Sequence, residues 1–328
     1  MRAAPENVMI TEKAAEKGAS NPGSQLQRLM RMAEDQPPLL TAVVHPVDVL
    51  SLTGAIEAAK RGLIAPILIG PRARVEAAAR DADRDISAFE LVDVEHSHQA
   101  AATACAMASK GQAAAIMKGA LHTDELLEAV VAPTSGLRTD RRMSHVFVLD
   151  VPSYPRPLLI SDAALNISPD LATKRDIVQN AIDLAHAMGA PLPKVAILSA
   201  VETVNPKMIS TLDAAALCKM ADRGQIVGGL LDGPLAFDNA VSPEAARAKG
   251  IVSPVAGEAD ILIVPDIESG NMLAKQLFYL SNAQSAGIVL GARVPIMLTS
   301  RSEPEASRLA SCALAILVTQ HKPAKYVR

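Results

Sequence analysis

Tryptophan is absent, and four phenylalanines with three tyrosines bring the aromatic content to only 2%. With so few rings, base stacking along a single strand of nucleic acid is not expected. Nor is there an excess of positive charge: 32 Lys and Arg stand against 35 Asp and Glu, for a net charge of −3 and a pI near 6.2. A polyanion is therefore an unexpected partner. Cysteine is scarce too. Cys105, Cys218 and Cys312 are odd in number and far apart, which fits neither a disulfide framework nor a zinc site. No apolar run is long enough for a membrane span, and the N-terminus has no apolar core of a secretion signal. A cytoplasmic protein with no membrane partner is the expectation. Several motifs are also missing: GxGxxG after a strand, GxxxxGK[ST], GxSxG and HExxH. Their absence removes the usual dinucleotide fold, P-loop NTPases, common serine hydrolases and zinc proteases.

What remains is aliphatic. Hydrophobic residues make up 49% of 328, enough for two domains with cores of Ala, Leu, Ile, Val and Met. Apolar runs alternate with stretches of helical spacing. Strands are expected at 39–45, 65–70, 89–94 and 113–119, and helices at 47–63, 72–82, 98–111 and 123–131, the last with Thr123 as N-cap. The segment 133–142 is polar and turn-rich. "SHVFVLDV" and "RPLLIS" then form two adjacent strands with no helix between them. Alternation resumes with helices at 176–189, 212–224, 242–250, 270–281 and 302–320. Strands are expected at 194–199, 225–233, 260–265, 286–291 and 295–300. Gly189 is placed as a helix C′ residue and Ser242-Pro243 as a helix start. Continuous apolar strands joined by helices imply an α/β fold with a mostly parallel sheet.

In such a sheet ligands sit beyond the carboxyl ends of strands. Five strand ends here are polar: Lys118-Gly119 followed by His122 and Thr123; Ser161-Asp162 with Asn166; Asp232-Gly233 with Asp238; Asp266, Glu268, Gly270 and Asn271; and Thr299-Ser300-Arg301. Each also has a plain structural reading. Asp232-Gly233 makes a tight turn, Ser300 caps a helix, and Asp266 with Glu268 suits a helix N-terminus. Lys118, between a buried strand and glycine, is well placed for a phosphate. His96 and His98 have the look of a metal pair without a third ligand, so a solvated loop competes with that reading. His122 and His145 are candidate acid/base groups or structural histidines.

The stretch "LLDGPLAFDNAVSPEAARAKGIVSPVAGEADILIVPDIESGNMLAKQL", with "KVAILS", "SDAALNISP", "MKG", "SHVFVLDV" and "LTSRS" in the same order, resembles the phosphate acetyl/butyryltransferase family, most like its butyryltransferase branch. The resemblance runs from about residue 40 to the end. It implies two three-layer α/β/α domains with a cleft between them, isocitrate/isopropylmalate-dehydrogenase-like. Residues 1–142 and 295–328 would form the first domain, with 1–22 a frayed tail or loosely docked helix, and 143–294 a second, dimerising domain. It also implies a homodimer that transfers a short acyl group between coenzyme A and inorganic phosphate, with neither metal nor added cofactor.

By the same resemblance Ser300 and Arg301 are the catalytic pair, the serine bonding near the thioester and the arginine holding phosphate or developing charge. Lys118, Thr123, Ser144, Asp162, Asn166, Asp232, Asp238, Gly257, Asp266, Glu268 and Asn271 are its substrate-binding candidates. Asp266 and Glu268, being anionic, are expected to orient arginines, amides or the dimer surface, with Gly270 and Asn271 opening the next helix. Two positions depart from the acetyltransferase pattern. Ser307 stands where those enzymes carry a basic Asp, with Glu303 and Glu305 nearby, and Glu128 stands where they carry an Arg. Arg138, Arg141 or Arg142 is a candidate replacement for that charge. The competing readings are a metal- and NAD(P)-dependent decarboxylating dehydrogenase of the same fold, and a non-catalytic paralogue that binds CoA or acyl phosphate.

Overall fold

The structure, a computed structural model, describes residues 23–298 and 304–321. The first half alternates: α1 Ser24–Glu34, β1 Leu39–Val44, α2 Val49–Lys60, β2 Ile64–Gly70, α3 Arg72–Asp81, β3 Glu90–Asp93, α4 Ser97–Ser109, β4 Ala115–Lys118 and α5 Thr123–Val131. Two strands follow with no helix between them, β5 Ser144–Asp150 and β6 Leu158–Ser161. Alternation returns with α6 Leu171–Ala187, β7 Lys194–Leu198, α7 Ile209–Asp222, β8 Leu230–Leu235, α8 Phe237–Val241, α9 Pro243–Ala248, β9 Ile261–Ile263 and α10 Ile267–Leu280. β10 Gln284–Leu290, β11 Ile296–Met297 and α11 Glu305–Gln320 complete it.

Local chemistry sets most of these bounds. Asp48 and Asp170 accept the N–H of Ser51 and Thr173 and so cap α2 and α6. Ser242 caps α9 ahead of Pro243, and Gly189, at φ 91°, follows the last turn of α6. Four expectations need correction. Thr123 is not a cap: it is the first helical residue of α5, after His122, and no side chain caps that end. α10 opens at Ile267 rather than at Gly270 and Asn271, because Asp266 and Ser269 form a reciprocal capping box. The strand expected over 225–233 begins only at Leu230, since Gly228 at φ 85° breaks extended geometry. His96 is spent on α4, its Nδ1 accepting the N–H of Gln99, and among the described residues no three His, Cys, Asp or Glu converge as a metal would need.

Among the described residues the strands form one sheet of eleven, ordered β3-β2-β1-β4-β11-β10-β5-β6-β9-β7-β8. The first five run parallel, as do the last four. Between these blocks, β10 is antiparallel to both β11 and β5, and β5 is antiparallel to β6. β10 meets β11 through a single residue pair, Val289 with Ile296.

The two faces are packed differently. On one, a continuous core runs from Leu29 and Val43 through Val146 and Ile288 to Val195, under α11. On the other, two separate clusters form: Val44, Ile69 and Leu126 beneath α4 and α5, and Leu149, Ile160 and Ala274 beneath α10. A cleft lies between them.

Candidate active site

The cleft encloses about 280 Å³. Its floor is β5 and β10, one wall is the start of α5, and the other is α10 with the Asp162–Asn166 loop. The strand period of two decides what faces it. In β5, Ser144, Val146 and Val148 turn to the continuous core, while His145, Phe147 and Leu149 turn to the cleft. Ser144, a substrate-binding candidate from the sequence, therefore faces the core rather than this cleft: it is buried and its hydroxyl accepts from the Asn180 amide on α6.

The polar end of the cleft carries Thr123, His145 and Asn271. The amide of Asn271 donates to the carbonyl of Ala163 at 3.1 Å, which ties α10 to the loop. Asp162 organises that loop. It is 2% exposed and accepts from the N–H groups of His145 (3.3 Å), Ala164 (3.0 Å), Leu165 (3.1 Å) and Asn166 (3.0 Å), and from the Asn166 side chain. Asn166 in turn donates to the Met143 carbonyl. Gly270 permits the contact, since a Cβ there would sit 2.9 Å from the Asp162 carbonyl oxygen.

His145 is the titratable group that sequence reasoning noted but did not place. It is buried, its Nδ1 has no hydrogen-bond partner, and its Nε2 lies over Gly287, where a Cβ would come within 2.8 Å. Burial pushes its pKa down to about 4 against the opposing pull of Asp162, so the ring is neutral at pH 7. A neutral imidazole on a cleft floor can hold a hydrogen-bond donor, while its lowered pKa makes it a weak proton acceptor. The cysteines offer no alternative nucleophile there: burial raises the thiols of Cys105, Cys218 and Cys312 to between about 11 and about 12.

Lys118 is buried at the end of β4. It follows the last β4–β11 pair, Met117 with Met297, and does not itself line the cleft, whereas Leu298, the residue after Met297, does. Ser300 and Arg301, two and three residues further on, lie outside the described residues. Other sequence candidates lie elsewhere. Asp232 is in the edge strand β8, four strands beyond β5, roughly 19 Å at ordinary strand spacing, while Asp238 on α8 and Gly257 in the segment before β9 do not line the cleft. Asp238 and Glu202 hold Lys249, and Gly257 packs on Pro243. Asp266 serves as the α10 cap, and Glu268 is exposed on the first turn of that helix.

Glu128 and Glu305 are exposed, and Ser307 is buried in α11; none of the three lines the cleft. Arg138, Arg141 and Arg142 line a different groove, with Val131 and Met143. Arg141 pairs there with Asp183. A larger cavity, about 670 Å³, runs between Arg141 and residues 291–295 and holds none of the sequence's substrate-binding candidates.

Set beside known proteins, this fold and cleft place the chain among the acyltransferases. The model of the family described as "Phosphate acetyl/butaryl transferase" matches residues 96–316. A phosphate acetyltransferase of Rhizobium meliloti is 59% identical, covering 93% of this chain and 96% of the relative. A phosphate butyryltransferase of Clostridium acetobutylicum is 43% identical, covering 86% and 93%. A branched-chain phosphotransacylase from Enterococcus faecalis V583 superimposes with a TM-score of 0.76 at 30% identity, covering 87% of this chain and all of that one. The chain belongs to the phosphate acetyl/butyryltransferase family.

Proposed function

We propose that acyl-CoA and inorganic phosphate react in the cleft between α5 and α10 to give acyl phosphate and CoA. A phosphate oxygen attacks the thioester carbonyl carbon, the carbon–sulfur bond breaks, and the sulfur leaves as thiolate and takes a proton. The observation that carries the reading is positional. Leu298 lines the cleft one residue beyond the Met117–Met297 pair, Lys118 ends the neighbouring strand, and Thr299-Ser300-Arg301 follow Leu298 in the sequence. Ser300 bonds the thioester, Arg301 and Lys118 hold phosphate, and Thr123, Asn166 and Asn271 position the substrates. Asp162 is a positioning residue. His145, held neutral by burial on the cleft floor, is available to hold a substrate donor rather than to act as the base.

The finer architecture is part of the proposal. The division into 1–142 with 295–328 and 143–294, isocitrate/isopropylmalate-dehydrogenase-like, is supported by the single β10–β11 rung and the core split on one face. Exposed Ile167, Val204, Ile209, Met272 and Leu280 support a homodimer formed through the second half. A cytoplasmic location agrees with three reduced, scattered cysteines.

The test is phosphate-dependent thiol release from acetyl-, propionyl- and butyryl-CoA. Release with at least one is expected. Release with none would sink the reading, and NADH formation from a hydroxy acid would favour the dehydrogenase instead. CoA binding by calorimetry without turnover would favour the non-catalytic paralogue.

A further inference from the structure

The cleft has two chemically distinct ends. Away from Thr123, His145 and Asn271, its walls are mostly apolar, Phe147, Leu149, Ala274, Phe278, Tyr279 and Leu298, with Lys275 and Ser285 as the polar members. Three of the seven Phe and Tyr residues in the whole chain are gathered here. Among the described lining residues there is no carboxylate. At about 280 Å³ the space takes several water-sized groups, far more than one methyl. A methyl held alone in it would leave most of the aromatic wall without contact, and a void of that kind forfeits dispersion.

We propose that this apolar end is the acyl-chain subsite and that it selects a four-carbon acyl group, straight or branched, over acetyl. The inference rests on the acyl-transfer reading above. The geometry orders the substrate: the carbonyl lies at the polar end near His145, Thr123 and Asn271, and the hydrocarbon points along Phe147 towards Ala274 and Phe278. Ala274 sets the depth, because it is the small residue on the helix face that closes the pocket and is itself buried. Phe278, one turn further along α10, sets the length.

The experiment is a kcat/KM ladder over acetyl-, propionyl-, butyryl-, isobutyryl- and hexanoyl-CoA, for the wild type, Ala274→Leu and Phe278→Ala. The wild type is expected to prefer butyryl over acetyl by about 15-fold, the effect of burying two further methylenes. Ala274→Leu fills the pocket and should lower butyryl turnover at least tenfold more than acetyl turnover. Phe278→Ala opens it and should raise hexanoyl relative to butyryl. A wild type that favours acetyl overturns the proposal, and so do variants that scale every acyl-CoA equally. If Ala274→Leu does not fold, the wild-type ladder and Phe278→Ala decide alone. Absence of thiol release with every acyl-CoA would instead remove the acyl-transfer reading itself, so the two failures are distinguishable.

Discussion

Removing the Asp162 carboxylate tests whether this one side chain holds the cleft together. It is 2% exposed and accepts five hydrogen bonds: Oδ1 takes the N–H groups of His145, Ala164 and Leu165, and Oδ2 takes the N–H and side-chain amide of Asn166. In Asp162→Ala all five donors lose their acceptor. Water can reach some of them, because Ala164, Leu165 and Asn166 are only part-buried. The donor of His145 belongs to a buried residue and is not rehydrated without moving β5. A buried donor left unpaired costs ~1–3 kcal/mol, so two or three stranded donors give a loss of about 3–5 kcal/mol.

Asp162→Asn keeps one oxygen. With that oxygen on the Oδ1 side, its new amide faces the two donors of Asn166, a clash limited to one end and worth about 2 kcal/mol. The expected order of stability is wild type, Asn, then Ala, read from urea midpoints with the slope unchanged. Since the loop carries Ala164 into the cleft, kcat/KM for thiol release should fall by more than tenfold in Asp162→Asn, where the protein remains folded. A loss below ~1 kcal/mol for Asp162→Ala, or an Asn variant less stable than the Ala variant, would refute the hydrogen-bond accounting.

Two further predictions concern the cleft floor. His145 has a folded pKa of about 4, below the ordinary value near 6.5, so between these values the unfolded chain binds more protons and stability rises with pH. The contribution is complete above about pH 6.5 and is lost as pH falls through the window towards 4, by at most about 2 kcal/mol at pH 5. Asp162 is the charged group that acts on the ring and Lys275 lines the same cleft, so His145→Gln should flatten the pH dependence of the urea midpoint between pH 7 and 5; equal slopes would count against the assignment. Gly287→Ala places a Cβ 2.8 Å from His145 Nε2 and 3.2 Å from its Cε1. The ring must shift into the cleft, at a cost of ~1–3 kcal/mol, and kcat/KM should drop at least tenfold. Unchanged kinetics would show that the ring's position is immaterial.

Much of this architecture is legible before any coordinates. The helix–strand alternation, the helix-free β5–β6 pair and the Ser242 and Gly189 helix ends all follow from spacing and turn chemistry. The site is legible only in part, and Ser144 shows why. In "SHVFVLD" the period of two separates Ser144 from His145 with certainty, but which set meets the cleft depends on α6 covering one face and α10 the other. That is a tertiary fact. Asp232, Asp238 and Gly257 sit in the long signature that resembles the family, and their contacts are local: Asp232 accepts the Gly233 N–H, Asp238 pairs with Lys249, and Gly257 packs on Pro243. A motif can mark ancestry without touching the cleft. The scarcity of aromatics makes the meeting of Phe147, Phe278 and Tyr279 conspicuous once the faces are known.

The position of the cleft follows from how the chain connects its strands. A parallel connection needs a crossover, and the crossover helix covers a face of the sheet. Both outer blocks are parallel and both are roofed, by α4 and α5 on one side and α10 on the other. β5 joins β6, and β10 joins β11, through short antiparallel links at 151–157 and 291–295 that contain no helix. The middle of the sheet therefore has no roof of its own on that face. On the opposite face it is covered by α1 and α11, elements from the two ends of the chain. A floor left bare for topological reasons, flanked by two roofs with different side chains, can carry a polar lip from α5 and an apolar wall from α10. This makes chain-length selectivity a property of α10, separable from the chemistry at the other lip. Substitutions at Ala274 and Phe278 should accordingly move the acyl preference while leaving the dependence on phosphate concentration unchanged, and a coupled shift in phosphate KM would show that the two lips do not act independently.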